Sequence, residues 1–519
     1  MLKVNYFQGN LSMKTNSECI FRHNNYTFFR SRIVLFTFLL SLHVSAQNWT
    51  VSTGGNPRRN GSSVEYGPNT ETLLWSGGES STIARSPVSD SIYLAAVRIS
   101  NSSDFLNGSR IVVMDIRNGD TLWTKNLPVD YPSTDWQNRI SAIRNGVIYA
   151  SRSGNSNSSY LYALDAADGS VIWRSESLID ESSTEGLNFL ENGDLIVGNI
   201  NSILRINKLD GTTIWQTDRL AYGDGAELAV FDSKIYGIIN DLTELKVAAY
   251  DAVTGQLLYK SAAIDNGLVQ QQALFMGNDG TVYLPRSQNN PITDSLYSFT
   301  DNGSGFTQNW SIPIHYIPFS SSGIGPDGSV YSYSRSGKVI RIDPATGNIS
   351  DSSQVVLYGN ASYPRMSIDA AGIVNVTNGG FSDGAFFSFN SDLTLRWQTS
   401  FTNVFLGGPL IGLDGTLVIC GVGSDIRAYR GDVNASLKEE STENETSVYP
   451  NVVRDQLNIL ITPERVGTNY WITDCSGKTV LRGKLASENT LIDFSFVSNG
   501  LYLFNFEEKN ARVYRIIKE

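Results

Sequence analysis

Apolar and polar positions alternate in short runs along most of this chain, and the runs are punctuated by glycine. The alternation has the period of strands, and no long stretch of helical periodicity interrupts the body of the sequence. One unit recurs: an alternating strand ending in Asp, three residues, Gly, three residues, Trp. It is seen as Val113-Met114-Asp115 … Gly119 … Trp123 and again as Ala163-Leu164-Asp165 … Gly169 … Trp173. Asn207 … Gly211 … Trp215 and Asp251 … Gly255 … Tyr259 are further copies. Asp343 … Gly347 keeps the turn and loses the aromatic, Trp310 and Trp397 end two looser copies, and Trp75 ends the first. Each copy predicts a hairpin. Gly takes the positive φ of the turn, the Asp carboxylate accepts hydrogen bonds from the turn's N–H groups, and the next strand carries a large aromatic.

A second hairpin precedes each of these. Its markers include Ser91-Ile92-Tyr93, Gly146-Val147-Ile148-Tyr149, Gly193-Asp194-Leu195-Ile196 and Gly415-Thr416-Leu417-Val418, and eight occur in all. Four strands every 40-odd residues is the spacing of a propeller blade. The last unit stops after Ile426-Arg427-Ala428-Tyr429, while Leu73-Leu74-Trp75 stands alone at the other end. The two fragments predict one blade completed by strands from both termini, which leaves no open sheet edge. The expected fold is all-β: an eight-bladed propeller over 47–431, a polar linker over 432–446, and a small immunoglobulin-like β-sandwich over 447–519. Trp123, Trp173 and Trp215 are expected to pack between adjacent blades.

The first 46 residues break the pattern. Arg30 and Arg32 precede the apolar run Ile33 to Leu40, which ends in Val44-Ser45-Ala46. That order predicts a signal peptide cleaved after Ala46, with Met1 or Met13 as the start. A membrane anchor is the alternative, but the run is shorter than the ~20 residues a spanning helix needs, so an integral membrane protein is not expected.

Charge narrows the partners. The 519-residue chain has 40 Lys and Arg, 51 Asp and Glu and a net charge of −11. Removing the five basic and one acidic residues of 1–46 leaves 35 against 50, a net of −15. Such a surface repels phosphates, so no nucleic-acid partner is expected. Of the three histidines only His315 lies beyond the signal, so any Ser-His-Asp triad must use it, and a His-rich metal site is excluded. Cys420 and Cys475 fall in different expected domains and predict no bridge. Paired carboxylates of a hydrolase remain open, although most Asp residues sit at turns. Tyr66, Tyr131, Trp136, Tyr222 and Tyr316 lie in connections, where they either form a ligand-binding rim or pack the loop ends.

The Asp-x-x-(Thr/Asp)-Gly-x-x-x-Trp unit resembles the tryptophan-docking repeat of pyrroloquinoline-quinone-like propellers, over about 49–430. That family mixes quinoprotein dehydrogenases with scaffolds. The enzymes hold their quinone over a calcium ion and usually carry a disulfide between adjacent cysteines. No adjacent Cys pair exists here and no calcium triad can be placed, so no cofactor, metal or catalytic residue is assigned. The tail resembles the C-terminal sorting domain of type IX secretion substrates in Bacteroidota. The matching residues are Tyr449, Pro450, Asn451 and Asp455, then Gly477 and Lys478, then Gly500, Tyr502 and Lys518. The resemblances imply a protein exported through the periplasm to the cell surface or medium. The propeller would bind a protein or glycan, and the tail would engage the type IX machinery. A secreted enzyme, quinoprotein oxidoreductase or hydrolase, is the alternative.

Overall fold

The computed structural model describes residues 50–518 apart from 52–54, 78–86, 100–107, 131–136, 154–158, 181–186, 223–226, 242, 266–267, 270–273, 290–291, 358–362, 381, 406, 422–424, 431–446, 450–451, 462, 475–476 and 507–513. The expected signal and its cleavage site at Ala46, the linker, Tyr131, Trp136, Pro450, Asn451 and Cys475 lie outside the described residues.

Between Thr50 and Tyr429 the strands form eight antiparallel sheets. In the second, Gln137–Arg144, Val147–Ser153, Ser159–Asp165 and Val171–Ile179 follow one another like a folded ribbon. The third, fourth, sixth and seventh repeat this plan, starting at Leu187, Ala229, Gly323 and Arg365. The fifth places Leu268–Val269 and Phe275–Met276 on the inner side of Val282–Asn289. The first begins with Val88–Asp90, and Thr50–Val51 pairs with that strand as an extra member.

The eighth sheet is built from both ends of the ring. Leu410–Ile411, Leu417–Cys420 and Ile426–Tyr429 supply three strands, and Leu73–Gly77 pairs with the third, Trp75 opposite Ala428.

Packing closes the circle. Each neighbouring pair of sheets shares one apolar cluster. Ile111 and Val113 of the first meet Ile148 and Leu164 of the second, and so on to Phe386 of the seventh and Ile419 of the eighth. The final cluster joins Leu94 and Met114 of the first sheet to Val418 and Ile426 of the eighth. The first strand of most sheets is buried on both faces, as in Gln137–Arg144, and lines the axis. The fourth alternates exposed and half-buried positions, as in Thr213–Asp218, and forms the rim.

Residues 55–67 carry no strand pattern, yet Asn56, Arg59, Asn60 and Gly61 are almost fully buried. The segment crosses the axis. Arg59 donates to Leu187 O of the third sheet and pairs with Glu227, both partners being buried. Pro57 O accepts from Val230 N (2.7 Å) in the fourth sheet and Arg58 O from Met276 N (2.9 Å) in the fifth. Asn60 O accepts from Ile324 N (2.9 Å) in the sixth and Gly61 O from Ile368 N (2.9 Å) in the seventh. The third and seventh sheets stand opposite one another in a ring of eight, so this strap fills the channel between them.

The tail forms two sheets around one core. Ser447–Tyr449, Gln456–Leu460 and Asn489–Asp493 make the smaller. Val452–Val453, Tyr514–Lys518, Gly500–Phe506, Asn469–Asp474 and Thr479–Lys484 make the larger, in that order. Leu457, Ile459 and Ile492 of one face meet Ile472, Phe504 and Ile516 of the other. This is a β-sandwich by the ordinary rule that each sheet buries one face.

Candidate functional site

The repeat residues meet across sheet boundaries. The turn between third and fourth strands is fixed locally: Asp165 O accepts Gly169 N–H at 2.8 Å, and its carboxylate accepts Ala167 N–H at 2.8 Å. Asp251 and Asp343 accept two such N–H groups each, and these bonds lower both carboxyls below the ordinary value. Asp115 also pairs with Arg117, which holds it low in the same way.

Each turn glycine receives a ring from the preceding sheet. Trp75 lies on Gly119, Trp123 on Gly169, Trp173 on Gly211, Trp215 on Gly255 and Trp310 on Gly347. A Cβ at these glycines would come within 2.6 to 2.9 Å of the ring. The indole N–H of Trp75, Trp123, Trp173 and Trp310 donates to Ile116, Ala166, Lys208 and Pro344 O, at 2.7 to 2.9 Å. Trp215 Nε1 makes no such bond, and Arg205 donates to the corresponding carbonyl, Ala252 O.

Three boundaries depart from this scheme for visible reasons. Tyr259 has no indole, and the Asp301 turn of the fifth sheet takes its hydroxyl instead, at 2.8 Å. Lys234 and Tyr236 donate to the same carboxylate. After the sixth sheet the aromatic position is Asp351, which pairs with Arg341. With no ring to receive, the next turn has Leu393 at φ 64 in place of Gly, and its buried side chain packs with Tyr331 and Phe389. Trp397 faces the eighth sheet, where the two ends of the ring replace the turn. Its ring packs on Phe386 (4.7 Å) and Tyr429 (5.2 Å), and its Nε1 has no partner.

These tight turns occupy one face of the ring. The longer connections, between second and third strands and from sheet to sheet, form the other, because antiparallel strands place alternate links at opposite ends. Tyr222 and Tyr316 lie in sheet-to-sheet connections. Tyr66 lies on the tight-turn face, its carbonyl against Gly415, so the structure does not bring these three together.

It gathers other rings instead. Phe319, Tyr363 and Phe405 come from three successive connections and are all half-buried. Tyr363 meets Phe319 at 5.2 Å and 67° and Phe405 at 5.2 Å and 65°. Edge-to-face contacts of this kind are favourable beyond area burial. Gly379 makes the approach possible: Tyr363 N–H reaches Gly379 O, and a Cβ at Gly379 would overlap the Tyr363 backbone at 2.1 Å. The three rings were available in the sequence as aromatics nine, nine and ten residues before Gly328, Gly372 and Gly415, a repeat looser than the tryptophan one.

His315 and Tyr316 lie in the same connection as Phe319. Burial lowers the imidazole below its ordinary value, against the attraction of Asp294. Ser287 donates its hydroxyl to Asp294 at 2.7 Å, so that hydroxyl is turned to the carboxylate rather than to an imidazole. Arg335 lies 3.5 Å from the same Asp294. Among the described residues no group of three or more His, Cys, Asp or Glu side chains converges as a metal site, and no helix is long and apolar enough to cross a membrane.

In the tail, Gly477 (φ 84) and Lys478 form the hairpin turn after Asp474, which accepts both their N–H groups. Gly500 pairs with Lys518, which is buried, and Tyr502 is buried with its hydroxyl on Ser498 O at 2.7 Å. Asp455 is exposed and fixes Phe494 through its carbonyl. The opposite side of the Gly500–Phe506 strand presents Leu501 and Leu503 outward.

A closed ring of repeat sheets joined by ring-on-glycine contacts defines a β-propeller. Residues 107–353 match the family model for outer membrane protein assembly factor BamB, and residues 447–519 match that for the secretion system C-terminal sorting domain. The chain thus carries a BamB-like propeller repeat domain and a sorting domain, and the latter supports a secreted or cell-surface location. Among solved structures it is similar to the propeller of Dos1 (13% identity, 70% of this chain, 96% of that chain, TM-score 0.51). The computationally designed Ika8 protein is similar over 69% of this chain and 99% of its own (14% identity, TM-score 0.51). The C-terminal WD40 domain of Sif2 is similar over 69% and 98% (13% identity, TM-score 0.50). These likenesses are of fold. No curated protein matches the chain in sequence.

Proposed function

We propose that this is an exported binding protein. Its propeller, within 47–431, takes a protein or glycan ligand on the face of the long connections. Its tail, 447–519, hands the folded protein to the type IX machinery after passage through the periplasm. The observation that carries the reading is the trio Phe319, Tyr363 and Phe405. Half-buried rings held by three separate connections cost core packing without completing it, and rigid aromatic anchors are what recognition surfaces use. The strap closes the axis and the tight turns receive the docked aromatics, so the long-connection face is the surface left for a ligand. The sorting residues support the second half. Tyr502 and Lys518 build the sandwich, while Asp455 and the Gly477-Lys478 turn are on its surface.

The test is a glycan array and a pull-down from culture medium with the exported protein and a Phe319→Ala/Phe405→Ala variant. The reading expects a ligand captured by the wild type and lost from the variant, with thermal stability nearly unchanged. Equal capture by both would remove the trio from the site.

A further inference from the structure

We infer that residues 55–67 are a clasp that releases as one unit and holds opposite sides of the ring together. The innermost strand of every sheet is an edge strand. Except in the first sheet, where Thr50–Val51 adds a further strand, its axial N–H and C=O groups have no strand to bond, and buried backbone groups left unpaired are costly. The strap supplies those partners in sheet order. Carbonyls of Pro57, Arg58, Asn60, Gly61 and Glu65 accept the N–H groups of Val230, Met276, Ile324, Ile368 and Ala370.

Side chains reinforce the same ladder. Asn60 Nδ2 donates to Met276 O at 2.9 Å, and Ser62 donates to Ile324 O. Gly67 N–H is held by Asp369 at 2.9 Å, and Ser63 N–H by Ile368 O at 2.7 Å. Arg59 (φ 56) and Gly61 (φ 67) turn the chain tightly enough to pass from the third sheet to the seventh within a few residues. A segment this short, bonded at each residue from Pro57 to Ser63, has no intermediate resting place. Losing its anchor at Arg59 and Glu227 loosens the far end at Ile368 as well. The axial channel is therefore a clasp seat and not a passage.

Hydrogen exchange on the full chain tests this. In the wild type the amides of Val230, Met276, Ile324 and Ile368 should exchange at a common rate. Arg59→Ala should raise all four at least tenfold while leaving the rim strand 171–179 unchanged. Acceleration confined to 187–188 and 227–230, or none, would overturn the clasp. So would an equal rise in the rim strand, which would mean that the strap has no opening of its own. Should Arg59→Ala fail to fold, Asn60→Ala carries the same readout from the middle of the ladder.

Discussion

A single indole decides how two sheets meet. Trp173 is buried, lies on Gly211 and donates to Lys208 O. Trp173→Ala removes the ring, the bond and the packing on Tyr149, and is expected to cost about 3–5 kcal/mol in chemical denaturation. The Phe variants separate the bond from the ring. Trp215 Nε1 has no acceptor, so Trp215→Phe should cost about 1 kcal/mol less than Trp173→Phe. Equal losses would show that the bond contributes nothing. Asp301 offers a titration. Burial alone would raise its carboxyl, but hydrogen bonds from Lys234, Tyr236, Gly303 N–H and Tyr259 together outweigh it and hold it at about 2, below the ordinary carboxylate value. A carboxyl lowered on folding stabilises the protein above its unfolded value and loses that contribution as pH falls through the folded one. The melting temperature of the wild type should therefore fall more steeply from pH 4 to pH 2 than that of Asp301→Asn. Parallel curves would contradict this.

At the scale of the hairpin, a docked ring adds a second demand for glycine to that of positive φ. Gly211→Ala puts a methyl 2.6 Å from Trp173 at φ 75 and should cost about 2–4 kcal/mol. The seventh sheet reverses the sign of the rule. Leu393→Gly relieves a positive φ yet empties a buried site, and is expected to destabilise by about 1–4 kcal/mol. A stabilised Leu393→Gly protein would mean that its side chain does not fill the space of the missing ring. These hairpins were legible in the sequence because strand alternation, the Asp-Gly turn and the aromatic all act within a dozen residues. The closing sheet was legible too, since its halves, Leu73-Leu74-Trp75 and Gly415 to Tyr429, are incomplete in complementary ways. The strap was not. Asn56-Pro57-Arg58-Arg59-Asn60-Gly61 has no period, and its partners lie far along the chain, at 187, 227, 276, 324 and 368. The aromatic trio was missed for a similar reason. Phe319, Tyr363 and Phe405 fall at nearly, but not quite, the same place in the repeat, and the loops around them share no composition.

For the whole molecule, the ring depends on its two ends meeting, and the proposed export depends on the tail. Deleting 47–76 removes Leu73 to Ser76 of the closing strand, Thr50–Val51 and the strap together. It exposes the edge of Ile426–Tyr429 and the inner edges of several sheets. Aggregation of the truncated chain, followed by light scattering, is the expected outcome, and a monomer of unchanged heat stability would argue against closure by both ends. The tail has a core of its own in Leu457, Ile472, Phe504 and Ile516, so it should fold when moved elsewhere. The central claim, an exported propeller addressed by its last residues, is tested most directly by fusing 432–519 to an exported fluorescent protein in a type IX-competent host. Fluorescence at the cell surface or in the medium is predicted. Fluorescence held in the periplasm with the fusion intact would contradict it.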